Sequence, residues 1–339
     1  MHTRATWLAF PIGLVLALLT TGPKAWAASH PLTVGADHRT TSTASPVNPA
    51  VDVDCPQLSR STACESHIGS VTVTIDGNNS VPVGYAITII WHTNARSPRF
   101  TADVHVKTAG VGFPGLINTI TADCQKPCSS SGSVTGPLSS YQPQQWGGTL
   151  SFDDAVATDQ QHVNQVTFKA SAMMPPLPGH TLVAHPSKPG VASTTVRCDD
   201  MRVFKGPPTA GCVIPTYTPT MTTMAGLPAI AANIRGIQMR GGMGVPGDTA
   251  RALHRLTDQR QRDRNRDVAC DEKVTGPKRV GMSCDEYPFA STREGGFQSG
   301  MTNGWAWVPA KEQNAQGGLL ITFYTENRVI DGDAFYVQV

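Results

Sequence analysis

The run Val71-Thr72-Val73-Thr74-Ile75-Asp76-Gly77-Asn78-Asn79 specifies the architecture of the N-terminal half of this 339-residue chain. Its first five residues alternate apolar and polar side chains, which is the pattern of a half-buried β-strand. Turn-forming residues follow, and the alternation resumes from Tyr85 to Trp91. Since a turn between two alternating runs is typical of a hairpin, we expect the two strands to pair antiparallel.

Further alternating runs extend this pattern toward residue 197. They occur at Phe100–Val106, Thr149–Phe152, Val166–Ala170 and Thr194–Arg197, and polar segments rich in Gly and Pro connect them. Short strands with such connections predict an antiparallel, sandwich-like, all-β domain over residues 70–197. Nine of the ten histidines lie before position 186 without the spacing of a metal site, so we expect exposed, non-ligating histidines.

Two segments precede this domain. Residues 1–27 combine a basic start, an apolar run and the small-residue pattern Ala25-Trp26-Ala27, which together predict a secretory signal peptide. Residues 28–69 are rich in Ser, Thr, Pro and Ala and predict a flexible leader. No later run approaches the ~20 apolar residues of a membrane span. We therefore expect a secreted, extracellular protein without a membrane anchor.

The eight cysteines indicate disulfides, because an exported chain meets an oxidising compartment. A zinc site at Cys124 and Cys128 is the alternative, but no second nearby ligand pair accompanies them. Proximity in the sequence predicts four pairs: Cys55 with Cys64, Cys124 with Cys128, Cys198 with Cys212, and Cys270 with Cys284.

Residues 198–339 predict a second, α+β domain. Asp248 has the character of a helix N-cap, and apolar residues from Ala250 onward recur at helical spacing, with His254 at the border of the apolar face. Near the C-terminus we expect strands at Leu319–Tyr324 and Ala334–Val339. The expected fold is thus an α+β domain preceded by an all-β domain.

Charge is distributed unevenly along the chain. The formal net charge of +2 indicates no class of partner, but basic residues outnumber acidic ones between Arg235 and Arg279. That stretch includes a cluster of five arginines, Arg255, Arg260, Arg262, Arg264 and Arg266. Such a cluster predicts a phosphate-binding patch. A solvated helix face stabilised by i,i+4 ion pairs is the alternative.

Three carboxylates and an arginine lie close together between Ser283 and Gly296. Asp285, Glu286, Glu294 and Arg293 lie there beside a proline and a glycine pair. This density predicts an active-site loop. The structural alternative is a carboxylate that caps a turn and an arginine that neutralises its neighbour Glu294.

Several motifs in residues 196–339 resemble the NucA/NucB family of bacterial extracellular deoxyribonucleases. The resemblance is carried by Asp285-Glu286-Tyr287-Pro288, Glu294-Gly295-Gly296, Asn314 ahead of Gly317-Gly318, and the segment Thr249–His254. Ser283-Cys284 stands where the family often has an acidic residue and an arginine. One extra residue precedes His254, and the gap before Asn314 is longer than in small members of the family.

The resemblance implies a largely non-specific DNA endonuclease that uses Mg²⁺ or Mn²⁺. Under this hypothesis Asp285, Glu294 and Asn314 supply oxygen ligands to the metal, and Glu286 contributes to catalysis. His254 is the candidate general base. Phosphate contacts are expected from Arg260, Arg264, Arg266 and Arg293, and such contacts carry no sequence information. We expect a monomer whose partner is DNA.

Two other classes of function remain compatible with the residues. A glycoside hydrolase would use Glu286 and Glu294 as paired carboxylates, with Trp305 and Trp307 as platforms for sugars. That hypothesis leaves the arginine cluster without a role. A non-enzymatic extracellular binding protein is the other alternative.

Overall fold

The computed structural model describes residues 55–108, 112–139, 143–187, 190–203, 209–298 and 300–339. The predicted signal peptide at 1–27 lies outside these residues, as does the leader before Cys55. Among the helices of the described ranges, none is long and apolar enough to cross a membrane.

The N-terminal part is built from two antiparallel sheets. The first has the strand order β5-β7-β3-β2-β1-β9, and the second has the order β11-β10-β8-β4-β6. The strands are β1 (Thr62–Ile75), β2 (Asn79–His92), β3 (Arg99–Thr108), β4 (Ile117–Asp123), β5 (Cys128–Ser131), β6 (Val134–Pro137), β7 (Gln145–Asp154), β8 (Gln161–Met173), β9 (Leu182–Pro186), β10 (Gly190–Asp199) and β11 (Gly211–Val213).

The expected hairpin is present, with β1 paired antiparallel to β2 and Ile75 opposite Asn79. Gly77 adopts a positive φ of 73° in the turn between them. Strand β1 begins at Thr62, so the segment predicted as a flexible leader already contains part of a strand. The disulfide Cys55–Cys64 anchors the chain just before it.

The alternating side chains of the two sheets enclose one apolar core. Trp91 is fully buried at its centre, within ring-contact distance of Phe100, Phe152 and Phe168. Burying such large side chains stabilises the fold by roughly 1.5–3 kcal/mol each. The period-two pattern of the sequence therefore identified the residues that hold the sheets together.

The C-terminal part combines helices with short strands around a second apolar core. Its helices are α1 (Pro228–Met239), α2 (Gln259–Ala269), α3 (Glu272–Thr275) and α4 (Ala310–Glu326), with 3₁₀ turns at Thr223–Gly226 and Thr249–Arg251. Its strands are β12 (Thr220–Met221), β13 (Leu253–His254), β14 (Met282–Tyr287), β15 (Gly304–Pro309) and β16 (Ala334–Val337). The hairpin β14/β15 leads directly into α4, and β16 lies between β12 and β13.

The helix expected from Thr249 is wrong. Asp248 does cap a turn, accepting from the backbone N–H of Ala250, but that turn is a 3₁₀ helix that ends at Arg251. His254 lies on β13, because Leu253 and His254 pair with Phe335 and Ala334 of β16. The long-range pairing overrides the local helical spacing.

The strand expected at Leu319–Tyr324 is also wrong. That segment forms the last turns of α4, whose buried residues Gln316, Phe323 and Tyr324 recur at helical spacing. A short apolar run has no periodicity that separates a strand from a helix. The final strand is confirmed as β16.

All four predicted disulfides are confirmed. Cys270–Cys284 joins the C-terminal end of α2 to β14. Cys198–Cys212 lies on β10 and β11, which pair across the predicted domain boundary at residue 198. The division of the chain into domains at this point stays a prediction.

Candidate active site

Asp285 lies in the middle of β14 and is almost completely buried, with 1% of its surface exposed. Asn233 of α1 donates to Oδ2 at 2.8 Å, and Gln316 of α4 donates to Oδ1 at 2.7 Å. Burial raises the pKa of this carboxyl to about 6, although the two amides lower it. Asp285 is therefore a shielded carboxylate held between two helices.

The amide that supports Asp285 belongs to a chain of hydrogen bonds along α4. Gln313 donates through Nε2 to Oε1 of Gln316 at 3.0 Å. The Oε1 atom of Gln313 is buried and has no hydrogen-bond partner. Nearby Glu312 accepts from the backbone N–H groups of Ala229 and Ile230 at the start of α1. The unsatisfied amide oxygen and the carboxylates make this region rich in oxygen donors.

Glu286 does not share the environment of Asp285. Successive side chains of a strand point to opposite faces, and Glu286 faces α2, where its Oε2 lies 2.7 Å from Nη1 of Arg266. Arg266 also donates to the backbone oxygen of Cys284 at 2.9 Å. Burial raises the pKa of Glu286 to about 7, against the opposing charge of Arg266. The structure thus separates the two neighbouring carboxylates.

His254 and Glu294 form a second cluster. Nδ1 of His254 lies 2.8 Å from Oε1 of Glu294, and the backbone N–H of His254 donates to Oε2 at 2.9 Å. The carboxylate is buried at 8% exposure, whereas the imidazole side chain is 40% exposed. Since Glu294 engages Nδ1, Nε2 is the ring nitrogen that remains for water or substrate.

The turn that carries Glu294 is held tightly from both sides. The backbone N–H of Arg293 donates to the oxygen of His254 at 2.9 Å. Asn265 of α2 donates to the oxygens of Ala290 and Thr292, each at 3.1 Å. A Cβ on Gly295 would lie 2.4 Å from the backbone oxygen of Phe289, so this position requires glycine. These contacts explain why a glycine directly follows Glu294.

An electrostatic contact relates the two clusters. Tyr287 lies on the same face of β14 as Asp285, two residues further along the strand. Burial raises the pKa of Tyr287, and the charge of Glu294 raises it further. The effect of Glu294 is thus on the Tyr287 hydroxyl, two positions along β14 from Asp285.

The predicted substrate-binding residues fall into different environments. Arg260 and Arg264 are exposed on α2, as a phosphate-binding role requires. Arg266 is engaged by Glu286, and Arg293 pairs with Asp331 at 3.0 Å while its side chain stays 54% exposed. The loop arginine thus neutralises Asp331 and not its neighbour Glu294.

Asn314 is exposed on α4 and is not part of the amide chain. It precedes Gln316 by two residues, which places it about 200° around the helix from the side chain that holds Asp285. Asn233, Gln313 and Gln316 were missed from the sequence, because neither α1, which carries Asn233, nor the start of α4 was recognised as a helix. The i,i+3 spacing of Gln313 and Gln316 was the available signal.

Asp285 and Gln313 carry oxygen atoms of the kind that a hard divalent cation binds. Mg²⁺ and Mn²⁺ prefer carboxylate and amide oxygens. Asp285 supplies a carboxylate, and the buried Oε1 of Gln313 is an unused acceptor. Cys270, Cys284 and Glu286 also lie close together, but the two sulfurs are bonded to each other, so that group is no metal site.

A search of curated proteins found no match to this chain. The family model of Deoxyribonuclease NucA/NucB matches the chain over residues 240–338, a range that contains Asp285, Glu294, His254 and the whole of α4. This match supports a DNA-hydrolysing nuclease. It confirms the resemblance expected from the sequence: the C-terminal region of the chain matches the NucA/NucB deoxyribonucleases.

Proposed function

We propose that this protein is a secreted, metal-dependent endonuclease that hydrolyses phosphodiester bonds of DNA with little sequence preference and acts as a monomer. The observation that carries the proposal is the pairing of His254 with Glu294 at 2.8 Å within the region that matches the nuclease family. The four disulfides are consistent with an oxidising, extracellular compartment.

In this proposal His254 is the general base. Its Nε2 takes a proton from the water that attacks phosphorus, and Glu294 stabilises the resulting imidazolium through Nδ1–H. Glu294 also sets the orientation of the ring, because its second oxygen accepts from the backbone N–H of His254. Glu294 is then a positioning residue and not the metal ligand expected from the sequence.

Asp285 and Gln313 are the residues that would hold the divalent metal. When bound, such an ion offsets the negative charge that develops on the phosphoryl oxygens. The amide groups of Asn233 and Gln316 hold the carboxylate of Asp285 in place. Burial raises the pKa of Asp285 to about 6, so the carboxylate is largely ionised and able to bind a cation at neutral pH.

The exposed arginines of α2 supply the contacts with DNA. Arg260 and Arg264 lie on the open side of the helix, and Asn265 of the same helix supports the turn before Glu294. Contacts to phosphates bind every sequence alike. We therefore infer non-specific binding next to the proposed site.

The test is nicking of supercoiled plasmid by the purified mature protein, with Mg²⁺, with Mn²⁺ and with a chelator. We expect nicking with either metal and its loss with chelator. His254→Ala is expected to lower the rate about 100-fold or more, the usual contribution of a general base. His185→Ala, at an exposed histidine of β9, is the matched control.

Complete inactivity on DNA with both metals would refute the proposal. The same preparation is then assayed on polysaccharides, because hydrolysis there would favour the glycoside hydrolase alternative. A His254→Ala variant with wild-type activity would leave a nuclease whose base lies elsewhere.

A further inference from the structure

We propose that the N-terminal sheets position His254 in the nuclease site, because Arg60 and Arg197 hold Asp333 and Asp333 fixes the strand that carries His254. This inference rests on the proposed role of His254. Asp333 is then a positioning residue for the reaction. Its side chain contacts Arg60 and Arg197 and acts on His254 only through the backbone.

Asp333 receives one arginine on each carboxylate oxygen. Its Oδ1 lies 2.6 Å from Nη1 of Arg197, and its Oδ2 lies 2.5 Å from Nη2 of Arg60. Arg60 precedes β1 and Arg197 lies on β10, so both belong to the N-terminal part. Both arginine side chains are only 6% exposed, and Asp333 is 17% exposed. Each ion pair is therefore largely removed from water.

Arg328 closes the same network from the C-terminal part. Its backbone oxygen accepts from Nη2 of Arg197 at 2.9 Å and from Nη2 of Arg60 at 3.3 Å. Its own guanidinium is 1% exposed and donates to Oδ1 of Asp199 and to the backbone oxygen of Ala95. Arginines of the N-terminal part thus pair with a carboxylate of the C-terminal part, and Arg328 of the C-terminal part pairs with Asp199 of the N-terminal part.

The segment around Asp333 pairs with the strand that carries His254. His254 pairs with Ala334, the residue that follows Asp333. The backbone oxygen of Asp333 accepts from the N–H of Arg255 at 2.9 Å, and the N–H of Gly332 donates to the oxygen of Arg255 at 2.9 Å. A displacement of Asp333 therefore moves the backbone on which His254 sits.

The same segment also contacts the turn that carries Glu294. Oδ1 of Asp331 accepts from the backbone N–H of Thr257 at 2.8 Å, just beyond β13. Oδ2 of Asp331 accepts from Nη2 of Arg293, the neighbour of Glu294, at 3.0 Å. Residues 331–334 thus contact the chain on both sides of the His254–Glu294 hydrogen bond.

A buried ion network is well suited to this role. Burial lowers the pKa of Arg60, and the charge of Asp333 opposes that effect. Neutralising Asp333 would remove the ion-pair partner of Arg60 and leave Arg197 with Asp199 alone, 3.3 Å from its Nε. The buried positive charge would then be under-compensated, and the segment would have to move to admit water. A misplacement of about 1 Å in a reacting group costs roughly 100-fold in rate.

The test compares Asp333→Asn with Glu65→Gln in the full-length protein. Glu65 is a matched control, because it is also a buried carboxylate that accepts several hydrogen bonds, here from Trp91 and Ser193, but it contacts no residue of the His254 segment. Nicking is measured at a temperature well below both unfolding transitions. The imidazole N–H resonance of His254 is recorded by NMR in each variant. This resonance reports on the hydrogen bond between His254 and Glu294 and does not require an active enzyme.

We expect Asp333→Asn to lower kcat at least about 10-fold with KM changed less than about twofold, and to shift the His254 resonance. Glu65→Gln is expected to leave both unchanged. A folded Asp333→Asn protein with wild-type kcat and an unshifted resonance would overturn the proposal, as would an equal loss of kcat in Glu65→Gln.

If Asp333→Asn does not fold, Arg197→Lys and Arg197→Met replace it. Lysine keeps the charge but loses the planar fork that reaches both Asp333 and the oxygen of Arg328. We expect kcat to fall in the order wild type, lysine, methionine, and equal kcat in all three would refute the coupling. The NMR measurement separates failure of this proposal from failure of the general-base role of His254. If only the general-base role is wrong, His254→Ala stays active while Asp333→Asn still shifts the His254 resonance.

Discussion

The carboxylate of Glu294 holds His254 at two points, with Oε1 2.8 Å from Nδ1 of the ring and Oε2 2.9 Å from the backbone N–H. The two residues are forty positions apart in the chain. The turn at Thr292–Gly295 and the pairing of β13 with β16 bring them together. This contact makes His254 an oriented base with an available Nε2.

Glu294→Gln is expected to lower the nicking rate roughly 100-fold, within the range of a general-base contribution. Glutamine keeps the shape but can donate to Nδ1, which favours the tautomer that protonates Nε2, and it cannot stabilise the imidazolium. Nicking rate and far-ultraviolet circular dichroism are measured together. Glu272→Gln, at an exposed acid of α3, is the control. Undiminished activity in a folded Glu294→Gln protein would remove Glu294 from the site.

Asp285→Asn is expected to change how stability depends on pH. The folded-state pKa of about 6 lies above the ordinary value for an aspartate. The folded protein therefore binds this proton more tightly than the unfolded chain does. The group favours folding at low pH, and this contribution is lost as the pH rises from about 4 through 6.

Wild-type protein should consequently lose roughly 2–4 kcal/mol of unfolding free energy relative to Asp285→Asn between pH 4 and pH 7.5, from 1.36 kcal/mol per pKa unit. Urea unfolding of both proteins at the two pH values measures this difference. A constant difference would show that Asp285 is not perturbed. Nicking activity of the variant should be lost at every pH.

Gln316→Ala and Asn314→Ala are expected to differ sharply. Gln316 donates to the buried carboxylate of Asp285, so its removal leaves an unsatisfied acceptor and costs roughly 1–3 kcal/mol of stability. Asn314 is exposed on another face of α4, and its removal should change stability by less than about 0.5 kcal/mol. Thermal unfolding and nicking are compared for both. Loss of activity in Asn314→Ala alone would restore the ligand role that the sequence suggested.

Arg260→Ala and Arg264→Ala should weaken binding to DNA and reduce its dependence on salt. Each lost phosphate contact lowers the slope of log K against log salt by about 0.9. Binding of a duplex in the presence of chelator is measured between low and moderate salt. Arg99→Ala, at an exposed arginine of β3, should leave the slope unchanged. Equal slopes in all four proteins would assign the α2 arginines to a solvated helix face.

Arg266 was expected to bind phosphate, but it forms a salt bridge with Glu286. We therefore expect its substitution to lower stability and not the affinity for DNA. Arg266→Ala would leave Glu286 buried without its cation. Removing one partner of a buried pair costs about 3–5 kcal/mol, and the 39% exposure of the Arg266 side chain reduces this to roughly 1–2 kcal/mol. A lower unfolding temperature together with an unchanged salt slope would support this assignment. Wild-type stability would show that Arg266 does not stabilise Glu286.

Local patterns in the sequence were sufficient for much of the N-terminal part. The alternation in Val71–Ile75 and Tyr85–Trp91 identified paired strands and their buried faces, because side chains of a strand alternate between two environments. Proximity alone identified all four disulfides, and the Asp-Glu-Tyr-Pro and Glu-Gly-Gly motifs identified the family region.

Tertiary structure decided which of the candidate residues meet. Strand pairing moved His254 from an expected helix to β13, and the alternation of β14 sent Asp285 and Glu286 to opposite faces. The helical geometry of α4 places Gln316, and not the expected Asn314, beside Asp285. The side chains that hold these groups come from residues distant in sequence, from Asn233 to the arginine pair on Asp333. Motifs and periodicity report the preferences of neighbouring residues, whereas these contacts depend on how separate elements pack.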